Sequence, residues 1–115
     1  MKIKRFEDII AWQKAQDLTV ELYAIFASNK DYGFKDQIQR ASISISNNIA
    51  EGFDRSTDAD FKRFLFISLG SCSEVRSMLY LAARLRYMTE KERDLFIEKV
   101  SEISKILWGL VRSLS

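Results

Sequence analysis

The chain has 115 residues, of which 47% are hydrophobic and 30% charged, with 18 basic and 16 acidic side chains and a net charge of +2. This length predicts a single domain over residues 1–115 with a real core, and the near balance of charge gives no wholesale attraction to polyanions. With no histidine and one cysteine, histidine-dependent catalysis, structural zinc and an internal disulfide are excluded.

No proline and only four glycines predict long helices joined by few turns. The basic start, Met1 to Arg5, is not followed by the apolar stretch of a leader peptide, and no apolar run reaches membrane-spanning length. The lone Cys72 falls in an apolar helical stripe. It reads as a small core residue in a reducing cytoplasm.

The first helix is expected from near Asp8 to near Ser28. Trp12, Ala15, Thr19, Leu22 and Phe26 recur at spacings of three and four, flanked by Ala11, Leu18 and Ile25. Ser28 to Gly33 is a polar break and forms the first connection. The second helix is expected to start near Lys35, where no side chain offers a cap. Its inner line is Ile38, Ala41, Ile45, Ile49 and Gly52. The β-branched alternation Ile43-Ser44-Ile45-Ser46 also suits a strand. It is too short to compete with the longer three-four pattern. Gly52 is placed to end the helix in a left-handed cap. The other side carries Gln37, Arg40, Ser44, Asn47, Asn48, Glu51 and Arg55. Two readings fit it: a solvated face, or a polar seam buried between subunits.

Thr57 with Asp60 forms a capping-box pattern that opens the third helix, which runs to about Arg86. Phe61, Leu65, Ser68, Cys72, Val75, Leu79 and Ala82 make a helix–helix seam, widened by Phe64, Met78 and Leu85. Phe66, Leu69, Gly70 and Tyr80 lie further round. That apolar circumference exceeds what one small bundle needs and predicts a second buried surface, with a partner or another copy. Thr89 with Glu92 is a second capping box and opens the fourth helix. Its stripe is Phe96, Val100, Ile103, Leu107, Leu110 and Leu114, with Ile97, Trp108 and Val111 beside it. Trp108 reads as a rim or interface aromatic. Four long helices with short connections predict an all-α fold, an antiparallel up-down-up-down four-helix bundle.

Known chemical signatures are missing. There is no Glu-x-x-His pair for a di-iron site and no glycine-rich phosphate loop. Carboxylates such as Glu51 and Glu74 are expected to meet an arginine or a helix end. No catalytic, cofactor or metal site is expected. Charge does cluster: residues 55–86 hold six basic side chains against three acidic ones. Arg40, Arg55, Lys62, Arg63, Arg76, Arg84 and Arg86 are the candidate contacts for a phosphate backbone, more so if symmetry repeats them. Pairing with Asp54, Asp58, Asp60 and Glu74 on solvated faces is the competing reading.

Several stretches together resemble a known family. They are Phe6-Glu-Asp-Ile-Ile-Ala-Trp-Gln-Lys-Ala15, Asp36-Gln-Ile-Gln-Arg-Ala41, Ser46-Asn-Asn-Ile-Ala-Glu-Gly52, Phe64 to Leu69, and Gly70-Ser-Cys-Ser-Glu74. The chain is similar over nearly its whole length to the four-helix-bundle proteins encoded in intervening sequences of bacterial 23S ribosomal RNA genes. The resemblance implies a four-helix bundle and a ring-shaped homopentamer. The related accessory variability proteins of diversity-generating retroelements bind nucleic acid and a reverse transcriptase through a basic pentameric barrel. The matching positions are Gln37, Arg40, Asn48, Glu51, Gly52, Gly70, Ser71 and Glu74. Their expected roles are structural: Arg40 bridging to Glu51 or Glu74, Gly52 permitting a turn, Gly70 and Ser71 permitting close packing. Two functions follow as expectations. One is a non-enzymatic, homopentameric, cytoplasmic protein that binds RNA or DNA through its arginines and lysines. The other is a scaffold that docks a partner enzyme without touching nucleic acid.

Overall fold

A computed structural model describes residues 3–115. Met1 and Lys2, part of the basic N-terminal segment considered above, lie outside the described residues. The described residues form a short 3₁₀ turn, Phe6–Asp8, and four helices: α1 (Ile10–Ile25), α2 (Tyr32–Phe53), α3 (Asp58–Arg84) and α4 (Glu90–Ser113).

Cross-helix contacts fix the topology. Ser44 meets Ser71 and Gln37 meets Glu74, so α2 and α3 run antiparallel. Lys62 meets Ser115 and Phe66 meets Trp108, so α3 and α4 do the same. Lys14 pairs with Glu102 and Glu21 with Lys99, which sets α4 antiparallel to α1. The result is a four-helix bundle in up-down-up-down order, 43 Å long and about 20 Å across.

The helix ends follow cap chemistry, with three departures from expectation. Thr89 and Glu92 close a reciprocal capping box. Thr57 accepts from the Asp60 amide at 3.1 Å, but among the described residues Asp60 makes no return bond. Aspartate is one methylene shorter than the glutamate that closes such a box. Helix α2 starts three residues earlier than expected, because Asp31 caps it by accepting from the Phe34 amide at 3.2 Å. Gly33 therefore lies inside the helix. Gly52 does not take a left-handed conformation: it is buried within α2. The left-handed residue is Arg86, φ 63°, after α3. There the Tyr87 amide reaches the Ala82 carbonyl at 2.8 Å and the Arg86 amide the Ala83 carbonyl at 3.0 Å. This is a Schellman ending built without glycine.

The core matches the predicted lines on α2 and α3, except that Leu85, expected to widen the α3 face, is exposed. On α1 the inward line is Ala11, Ala15, Leu18, Leu22 and then Phe26, while Trp12 and Thr19 are half-buried at its edge. On α4 the line ends at Val111, with Leu110 and Leu114 half-buried. Ser42, Ser46 and Ser68 are buried and use backbone carbonyls; the Ser68 hydroxyl donates to the Ile45 carbonyl of the neighbouring helix at 2.9 Å. These bonds satisfy groups that would otherwise cost stability.

Candidate nucleic-acid interface

The polar side of α2 packs partly against α3. Asn48 Nδ2 donates to the Ser44 carbonyl at 2.8 Å and to Ser44 Oγ at 2.9 Å, and Ser71 Oγ donates to Ser44 Oγ at 2.9 Å. Gln37 donates to Glu74 Oε2 at 3.3 Å. Arg40 bridges to Asp36 at 2.8 Å, one turn away on its own helix, rather than to Glu51 or Glu74. Glu51 instead pairs with Arg55 at 3.1 Å. A Cβ at Gly52 would lie 2.5 Å from Phe64 Cβ, so this glycine lets α3 approach α2. Gly70 is different: it is exposed on α3 with nothing within 4 Å of the Cβ position.

The seven candidate cations do not form one patch on a protomer. Arg55, Lys62 and Arg63 lie at the end of the bundle where α2 turns into α3. Arg55 and Arg63 both stand over the Phe64 ring, at 4.9 and 4.6 Å from its centroid. Arg84 and Arg86 lie at the opposite end, since 22 residues of helix separate Lys62 from Arg84 by about 33 Å. Arg76 and Arg40 are intermediate. Arg40, Arg55 and Arg63 are paired with carboxylates. Among the described residues, Lys62, Arg76, Arg84 and Arg86 have no carboxylate within 4.0 Å. Exposed pairs are worth about 0–1 kcal/mol, so an arriving phosphate can displace the paired carboxylates at little cost.

The exposed surface of α3 has two unlike shoulders. Contacts to α2 by Ser71 and Glu74 mark one side, and Ile67 and Leu85 fall there by helical count, with Leu81 near the crest. All three are exposed. Contacts to α4 by Lys62, Phe66 and Tyr80 mark the other. Phe66 meets Trp108 edge-on at 5.6 Å, and the Arg93 guanidinium stands 5.6 Å over Tyr80. Asp94 accepts from Arg93 and holds its pKa above the ordinary guanidinium value. Lys105 and Arg112 were absent from the sequence candidates. Their signal was positional: they sit three residues before and four after Trp108, on one helical face.

The edge between α1 and α4 has the opposite character. Asp17, Glu21, Glu98 and Glu102 line it, with Lys14 and Lys99 engaged in pairs. Two recesses on it measure about 210 and 220 Å³, below the usual size of ligand pockets. Four carboxylates against two lysines leave this edge acidic, unlike the α3 side. Among the described residues no helix is long and apolar enough to cross a membrane.

The sequence profile of the family described as 23S rRNA-intervening sequence protein matches residues 7–109. A crystal structure of a protein of unknown function, from the S23 ribosomal protein family of Bacteroides thetaiotaomicron, has the same fold with a TM-score of 0.83. The two chains are 26% identical, and the match covers 89% of this chain and 98% of that one. No protein with a curated description matches the chain.

Proposed function

The chain belongs to the 23S rRNA-intervening sequence protein family, and from that premise we propose that it is a non-enzymatic, cytoplasmic homopentamer that binds RNA or DNA through phosphate contacts. The observation that carries this reading is the row of cations along α3. Lys62, Arg76 and Arg84, with Arg86 just beyond, have no carboxylate partner among the described residues and span most of the bundle's length. An extended polyanion suits charges spaced this way better than a compact anion does. Five copies around an axis multiply the row. Ile67, Leu81 and Leu85, exposed along one side of α3, support self-association, because an interface there would remove three aliphatic side chains from water. The buried free thiol of Cys72 suits a reducing compartment.

The test is binding to structured RNA and to duplex DNA across a salt series. Affinity should fall steeply with salt, by a log–log slope of about 0.9 per phosphate contacted on duplex DNA. Arg84→Glu should weaken binding to both without changing the assembly. A second reading has its own support. Arg40, Arg55 and Arg63 are neutralised by neighbours, as expected of a scaffold that docks a partner enzyme. No binding even at low salt would favour the scaffold.

A further inference from the structure

We propose that the edge between α3 and α4 is a stacking platform for the unpaired bases of single-stranded nucleic acid, an inference that rests on the nucleic-acid reading above. Phe66 and Trp108 meet edge to face, their rings inclined at 75°, and remain 45% and 44% exposed. The contact leaves a large aromatic surface open to solvent. Tyr80, 51% exposed, lies on the same edge about 21 Å further along α3, with the Arg93 guanidinium over one face of its ring. These rings stand outside the buried core, to which Leu69, Cys72, Leu107 and Val111 of the same two helices belong.

Cations are interleaved with the aromatics. Lys62 precedes Phe66 by one turn, and Arg76 precedes Tyr80 by one turn. Lys105 and Arg112 flank Trp108 on α4. Among the described residues none of these four has a carboxylate within 4.0 Å. Exposed Ser73 and Ser77 lie along the same stretch of α3, and half-buried Ser101 and Ser104 precede Lys105 on α4. Exposed aliphatic side chains belong to the other shoulder of α3. Covering this edge with protein would strip water from four unpaired cations, whereas phosphates would neutralise them. Bases stack on aromatic faces whatever their sequence, and a closed duplex offers no free base faces except at its ends. The platform therefore discriminates single strands from duplexes, which backbone contact alone does not require.

The chain has two tryptophans, Trp12 and Trp108. In a Trp12→Phe protein the emission reports Trp108 alone. That protein is titrated at low salt with an oligouridylate of about 12 nucleotides and with a DNA duplex of equal length. The expected result is quenching by the single strand and not by the duplex. Trp108→Ala should weaken single-strand binding by about tenfold and leave duplex binding unchanged, with Trp108→Phe restoring most of the loss. The double variant Lys105→Glu, Arg112→Glu tests the same edge without touching a ring, and should lower single-strand affinity at least as much. Binding of both nucleic acids without quenching, or a Trp108→Ala protein with unaltered single-strand affinity, overturns the platform and leaves backbone binding standing. Binding of neither overturns the platform together with the nucleic-acid reading beneath it.

Discussion

Gly52 and Gly70 are the same residue under opposite constraints. Gly52 lies where α2 and α3 come closest; a methyl group there would overlap Phe64 Cβ and press on Phe61. Gly70 has open space around it and sits mid-helix, where glycine costs about 0.5–1 kcal/mol relative to alanine. Gly52→Ala should therefore destabilise the protein by about 1–3 kcal/mol, the usual cost of overpacking. Gly70→Ala should raise stability of the isolated protomer by up to about 1 kcal/mol. Paired urea melts check both signs, and a Gly52→Ala protein as stable as the parent would refute the close-approach account. The sequence predicts a helix-ending turn at Gly52 and a close helix contact at Gly70, and the structure places the close contact at Gly52 instead. What distinguishes them is a phenylalanine on another helix, which no local pattern reveals. Cys72 shows the reverse case, since its place in the α3 stripe sufficed to predict burial. Burial pushes its thiol up to about 11, with Ser104 and Arg76 pulling the other way. The thiolate is the reactive form. Cys72 should thus resist disulfide reagents in the native protein at pH 8 and label at the rate of unfolding. Rapid labelling without denaturant would contradict its burial.

At the scale of the element, boundaries were legible where one side chain announces them and obscure where the cap lies in an apparent loop. Thr57 and Thr89 marked two starts correctly. Asp31 was overlooked because it lies within Ser28 to Gly33, which read as a connection, yet its carboxylate captures the first turn of α2. The same carboxylate accepts from Tyr87 Oη at 2.6 Å, which ties the α1–α2 connection to the α3–α4 connection. The Phe34 and Tyr87 rings meet just beneath, at 5.2 Å. That join is tertiary, so sequence had no access to it. The Tyr87 hydrogen bond, and then the Phe34 amide, hold the Asp31 carboxyl below its ordinary value. A depressed carboxyl contributes stability that is fully present above the unfolded-state pKa near 4 and is lost as pH falls through the folded-state value. Tyr87→Phe removes the larger cause. Thermal melts from pH 7 to pH 2 should show the parent losing more stability through the acid limb than Tyr87→Phe. Parallel curves would mean that the bond contributes nothing in solution.

For the whole molecule, the fold was the most legible layer. Uninterrupted three-four periodicity and short connections leave few alternatives to antiparallel neighbours. The surface was the least legible, because neither the partner of a charge nor the exposure of an apolar side chain is written in its own helix. Arg40 found Asp36 rather than Glu51, and Leu69 was buried while Phe66 was not. Surplus apolar residues on α3 were visible in the sequence, but their division into an aliphatic and an aromatic shoulder required α2 and α4 in place. That division yields a prediction about assembly. Ile67 and Leu81 are 43% and 45% exposed on the protomer, so neither supports the core alone. A charge placed at the centre of a protein interface loses its water and finds no partner. The double variant Ile67→Glu, Leu81→Glu should therefore dissociate the assembly while its circular dichroism stays helical. Light scattering at micromolar concentration separates the outcomes. A parent assembly that falls to monomers in the variant assigns the interface to the aliphatic shoulder of α3. An assembly that survives both charges moves the interface elsewhere on the bundle, and a parent that is already monomeric removes the ring from the proposed function.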